Sequence, residues 1–433
     1  MKLNNTFLLG LMGLGFVIGC SGGGPVDPGE TPGPPTPTPG TAKTYLAPDW
    51  HTDRGSYALL AAVNESVQLP LSVRWQVDLP GQIHAPATGA FGQLYLPAGN
   101  SLYALSPQDG GVQWVYPAET PGTIPIFNPI ATFSENKGQV QTLFLVDGLG
   151  HLHAIQAQNG TREWRIENPQ PNSYASAPVS AGNQVFFIRN KNAASVLRVY
   201  SPTGELQWEK NTNVKNTNTP LYGFGSLFLS SCSNGSYPFA RIAAATGALE
   251  WEYKDSANYP SACFSNAVLD SDFALNQPAR VYFGHREDPP MVRAVRVSSG
   301  TSIWEKELTH RGEIKGMALS QNRPDNALIV AQADRLYRID RETGAILWEH
   351  SFESNVAQNP ANHLRVPQPI IWGDYVFHVT EGRKVLKALN LSTGEEAWRF
   401  ELNAPTNASP IAGGKTLYLG TESGRFYAFT ASL

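Results

Sequence analysis

Residues able to do chemistry are few in this sequence, and their spacing limits what they can do. His151-Leu152-His153 sets two imidazoles two positions apart, which on a strand puts both on one face, as a zinc site would require. A metal centre needs further ligands, and no third His, Cys, Asp or Glu of suitable spacing accompanies the pair. It therefore reads as a solvated strand face, and no metal is expected. Of the three cysteines, Cys20 ends an apolar run, which leaves Cys232 and Cys263 as an even pair. In an oxidising compartment these two are a candidate disulfide, provided that their Cα atoms come within about 7 Å. Acidic residues are scattered without an obvious catalytic pair, and no phosphate-cradling loop or nucleophile elbow precedes a helix. No catalytic residue and no cofactor are expected.

Composition narrows the class further. Charged residues make up 16% and the formal net charge is −4, so there is no basic excess to displace counterions from nucleic acid. The loops Glu313-Ile314-Lys315 and Arg286-Glu287-Asp288 read as a solvated polar rim. At the N-terminus Lys2 precedes an apolar stretch from Phe7 to Ile18, too short for a span that needs about 20 residues. Residues 1–19 read as a processing signal, outside the fold.

Val17-Ile18-Gly19-Cys20 resembles a bacterial lipobox. That resemblance implies cleavage before Cys20 and a diacylglycerol on its thiol, a membrane anchor to which each buried methylene contributes about 0.8 kcal/mol. Ser21 at the next position implies outer-membrane rather than inner-membrane sorting, with the protein facing the periplasm. Seven Pro and six Gly between Ser21 and Gly40 cannot bury apolar surface, so residues 20–44 are a tether, reaching up to about 60 Å if extended.

The elements that must position everything else come from a repeat. Gly, three residues, then Trp recurs seven times, at Gly110/Trp114, Gly160/Trp164, Gly204/Trp208, Gly247/Trp251, Gly300/Trp304, Gly344/Trp348 and Gly394/Trp398. The interval between successive Trp is that of a four-stranded propeller blade. Pro369–Trp372, Tyr375–Val379, Val385–Leu389 and Glu396–Leu402 read as four strands joined by tight turns. The last unit, from Pro410 to Phe429, has three strands, and the missing one is the stretch around Trp75 near the other end. Pairing the two ends closes the ring and removes exposed sheet edges. The expectation is an all-β, eight-bladed propeller over residues 72–433, preceded by a segment 45–71 with no predicted strand.

Ala388-x-Asn390-x-x-Thr393-Gly394-x-x-x-Trp398 resembles the tryptophan-docking repeat of pyrroloquinoline-quinone-type propellers. That likeness implies that Trp75, Trp114, Trp164, Trp208, Trp251, Trp304, Trp348 and Trp398 pack between blades. Within that superfamily the quinone-dependent dehydrogenases carry a vicinal cysteine pair, which this sequence lacks, and longer blades. The short blades and lipobox are similar to the propeller lipoproteins of the outer-membrane β-barrel assembly machinery, which implies a protein-binding scaffold rather than an enzyme. Two alternatives stand beside this reading: a quinone-dependent oxidoreductase, and a surface module that binds glycan or peptide.

Overall fold

The computed structural model describes residues 61–117, 130–135, 140–168, 175–191, 194–212, 218–230, 239–253, 267–270, 278–284, 289–310, 314–320, 327–332, 335–352, 367–380 and 383–432. Among them the regular structure is all strand. Eight sheets form, and seven are antiparallel meanders of consecutive strands: blades 1 (88–116), 2 (131–166), 3 (179–211), 4 (221–253), 5 (268–307), 6 (314–351) and 7 (370–401).

Blade 8 is made from both ends of the chain. Ile411–Gly413, Thr416–Gly420 and Arg425–Ala431 supply three strands, and Leu71–Asp78 supplies the outer one. Trp75 stands opposite Ala428 and Val77 opposite Phe426. The closure expected from the sequence is thus the closure found, and a bidentate contact of Arg425 with Asp78 (2.7 and 2.8 Å) clasps its rim.

Along the radius of each blade the pattern of burial changes. The inner strands of blades 1, 3, 5, 7 and 8 are three residues long and wholly buried, because neighbours crowd them towards the axis. Those of blades 2 to 8 touch one another in sequence order. The outer strands alternate exposed and half-buried positions, as in Glu396–Glu401, so one side of the pleat meets the next blade while the other meets solvent. Between blades the core is a series of apolar layers; at the junction of blades 4 and 5 the rings of Phe239 and Phe283 stack at 4.2 Å.

Two local features depart from the sequence reading. Ile314 and Lys315 do not belong to a polar rim loop. They open the inner strand Ile314–Leu319 of blade 6, with Ile314 fully buried. The second departure lies in the segment ahead of the ring, for which no strand is predicted. It contributes Ala62–Val63, which pairs parallel to Ile370–Trp372 and makes blade 7 five-stranded.

Candidate functional site

Strands alternate in direction, so each blade has two kinds of edge. Hairpins joining first to second and third to fourth strands lie on one face of the ring; hairpins joining second to third, and the connections between blades, lie on the other. The tryptophans belong to the first face. In every blade a β-bulge shifts the register of the outer strand one residue before its Trp. A bulge re-aims the side chain that follows it, and here it turns each indole towards the next blade.

Seven indoles meet the same target. Trp75, Trp114, Trp164, Trp208, Trp251, Trp304 and Trp348 lie against Gly110, Gly160, Gly204, Gly247, Gly300, Gly344 and Gly394 of the following blade. A Cβ at any of these glycines would stand 2.6–3.0 Å from an indole carbon, and each has φ between 68° and 90°. Glycine is needed twice over, for the left-handed turn and for the room. Each Nε1–H donates to a carbonyl of the same turn, those of Pro107, Ala157, Pro202, Ala244, Val297, Arg341 and Leu391, at 2.7–3.2 Å. Four arginines double this bond: Arg74, Arg241, Arg280 and Arg338 donate to the carbonyls of Pro107, Val297, Arg341 and Leu391. The indole surfaces are occupied by packing and are not an open aromatic platform.

Trp398 differs. Among the described residues its ring neighbours are Phe377, Phe400 and Phe429, and no glycine turn stands before it. Its partner blade is the one assembled from two chain ends.

On the opposite face the two histidines are not solvated. His151 is 6% and His153 0% exposed, and their rings meet edge to face at 6.4 Å. Blade 1 supplies the reason: Tyr116 Oη lies 2.8 Å from His153 Nδ1, while His153 Nε2 lies 3.0 Å from Asp147 Oδ2. Burial raises the cost of charging Asp147, but hydrogen bonds from His153 and from the His151 backbone outweigh it and hold the carboxyl below its usual range. Burial pushes the His153 imidazole down, against the pull of Asp147. The consistent protonation is a neutral imidazole that accepts the Tyr116 O–H and donates Nε2–H to a carboxylate.

The other oxygen of Asp147 accepts the backbone N–H of Leu149 and of His151, both at 2.9 Å. The turn 147–151 is thereby fixed from beneath, with Leu149 40% exposed at its tip. Both ring nitrogens of His153 are engaged, and among the described residues no three His, Cys, Asp or Glu converge to hold a metal. The sequence pairs His151 with His153 but carries no signal for Tyr116, which arrives from another blade.

Cys20, Cys232 and Cys263 lie outside the described residues. A quinone site of the dehydrogenase type pairs the cofactor with calcium, which takes clustered oxygen ligands. Among the described residues no such cluster of three carboxylates is found. Asp270, a buried carboxylate at the end of an inner strand, is paired with Arg341 at 3.1 Å and accepts from Tyr282 Oη at 3.2 Å.

Bulged outer strands, indole-to-glycine docking and closure by the N-terminal strand together define a tryptophan-docked, eight-bladed propeller of the quinone-repeat class. The family model described as outer membrane protein assembly factor BamB matches residues 71–253 and 290–432, and the chain belongs to that family. The crystal structure of BamB from Moraxella catarrhalis is similar with TM-score 0.59 at 16% identity, covering 84% of this chain and 98% of that one. The quinohemoprotein alcohol dehydrogenase of Comamonas testosteroni is similar with TM-score 0.69 at 13% identity, covering 89% and 81%. Saccharomyces cerevisiae Sqt1 gives TM-score 0.63 at 11% identity, covering 84% and 100%. No curated protein matches this sequence. At such identities the structures share the ring, and a ring hosts many functions.

Proposed function

We propose that this protein is a non-catalytic scaffold, held by a lipid on Cys20 at the periplasmic side of an outer membrane, that takes part in the assembly of outer-membrane β-barrel proteins. The observation that carries the reading is the match to the assembly-factor family across most of the ring. The sequence Val17-Ile18-Gly19-Cys20 supports the anchor. Strands and indoles are consumed in holding the blades together, so recognition falls to loops positioned by that rigid frame. The clasped turn 147–151, which presents Leu149 without a large ordering cost, is the kind of element such recognition uses.

Purification of the tagged full chain from gently solubilised membranes tests the assembly role. Barrel-assembly subunits are expected to accompany it, and their absence across several mild detergents removes that role. Radiolabelled palmitate is expected to mark the wild type and not Cys20→Ser; equal labelling rejects the anchor. Addition of quinone and calcium to the purified protein is expected to give no dye-linked oxidation of alcohols or sugars. Turnover there would instead establish the oxidoreductase reading.

A further inference from the structure

The seven docked junctions need a turn that joins the third and fourth strands of a blade, because that turn carries the glycine. In blade 8 the third strand is Arg425–Ala431 and the fourth is Leu71–Asp78. No turn connects them, so the junction of blades 7 and 8 lacks the wedge that closes the others.

Another part of the chain crosses this junction. Ala61 and Val63 accept hydrogen bonds from the backbone N–H of Ile371 (2.9 Å) and Gly373 (3.1 Å) on the inner edge of blade 7. The carboxylate of Glu65 then accepts the backbone N–H of Gly414 (3.3 Å) and Lys415 (3.1 Å) in the inner turn of blade 8. Val67 and Leu69 pack on the apolar core that includes both blades. At the rim the carbonyl of Pro70 accepts the N–H of Ser432 at 3.0 Å, beside the start of the closing strand. The fit to blade 7 is close: a Cβ on Gly373 would stand 3.0 Å from the Glu65 carbonyl oxygen and 3.1 Å from the Val67 nitrogen.

We propose that residues 61–70 form a latch that substitutes for the missing wedge, and that the ring opens at this junction when the latch is released. The latch runs parallel to the inner strand of blade 7, then outward across the inner turn of blade 8 to its outer strand, so it ties three points of the junction at once. Its attachment is a two-residue ladder, one exposed carboxylate, one hydrogen bond at the rim and a few half-buried apolar side chains, each a modest interaction. The other seven junctions dock their indole on a glycine turn with a hydrogen bond to it, which Trp398 lacks among the described residues. Release of the latch is therefore a local opening with a free energy well below that of global unfolding.

Hydrogen exchange on the full chain tests this with two variants. Glu65→Ala removes the acceptor for blade 8, and Val63→Pro takes the Val63 N–H out of the parallel pairing with Ile370–Trp372 and restricts the backbone before it. Both are expected to speed exchange about tenfold in Thr416–Gly420, Arg425–Ala431 and Leu71–Asp78, with blades 2 to 5 unchanged and the far-ultraviolet spectrum intact. Trp398→Ala is expected to speed it less than Val63→Pro. Unchanged exchange in blade 8, or an equal rise in all blades, overturns the proposal. Glu65 is exposed, so Glu65→Ala decides the matter even where Val63→Pro does not fold.

Discussion

At the junction of blades 5 and 6, Trp304 lies on Gly344 and donates to the carbonyl of Arg341 at 2.9 Å. At the junction of blades 7 and 8, Trp398 meets Phe429 edge-on at 6.0 Å, and residues 61–70 lie across the two blades instead. The same residue type in the same repeat position thus has two environments, and the cause is topological. A wedge requires a hairpin in the receiving blade, and a blade sewn from both chain ends has none at that place. A ring that is closed by strand pairing gains freedom from exposed edges, but one junction must then be held by different contacts.

The largest separation between the two kinds of junction is expected from removal of the indole. Trp304→Ala should cost about 3 kcal/mol, the low end for a buried Trp because the ring is half-buried, and Trp398→Ala clearly less, both read by urea unfolding. Equal losses would break the distinction. Gly344→Ala comes next, at about 2 kcal/mol, since it strains a left-handed turn and drives a methyl to 2.8 Å from Trp304.

Acid is expected to act on a wedged junction before the latched one. His378 in blade 7 packs against Phe352, just after the outer strand of blade 6, at 5.4 Å; its Nδ1 has no hydrogen-bond partner among the described residues, and burial pushes its pKa down to about 3. A depressed histidine gives stability that is complete above the unfolded value near 6.5 and is lost as pH falls. The loss runs at up to about 1.4 kcal/mol per pH unit until the folded value is reached. His378→Leu should flatten the stability profile between pH 6.5 and about 3; a profile as steep as wild type would exclude this source. The smallest effect belongs to Asp78→Asn at the rim of the closing pair. Its loss of the Arg425 contact should show only as a slight fall in thermal midpoint at low salt, since exposed pairs are screened.

How much was legible before folding varies by residue. Gly344 and Trp304 announce themselves, because a tight turn and a bulky ring at fixed offset recur around the chain. The bulge that turns Trp304 towards its partner leaves no mark, since Ile303 at that position is an ordinary strand residue. His151 and His153 read as solvated because a strand pattern cannot reveal what covers a face; Tyr116 covers this one from the neighbouring blade. Ile314 read as part of a charged loop because its neighbours are charged, whereas burial at the inner strand is decided by the axis. Glu65 carries no sequence signal, since its partners Gly414 and Lys415 are about 350 positions away.

By itself the sequence determined the number of blades, their strand order and the exchange of strands that closes the ring. Those follow from turn chemistry and alternation, which act within a few residues. Only the tertiary structure decided which carbonyl receives each indole, which histidines lose their water and where a short segment ahead of the ring adds its strand. Those outcomes depend on surfaces that exist only once separate blades have been brought together.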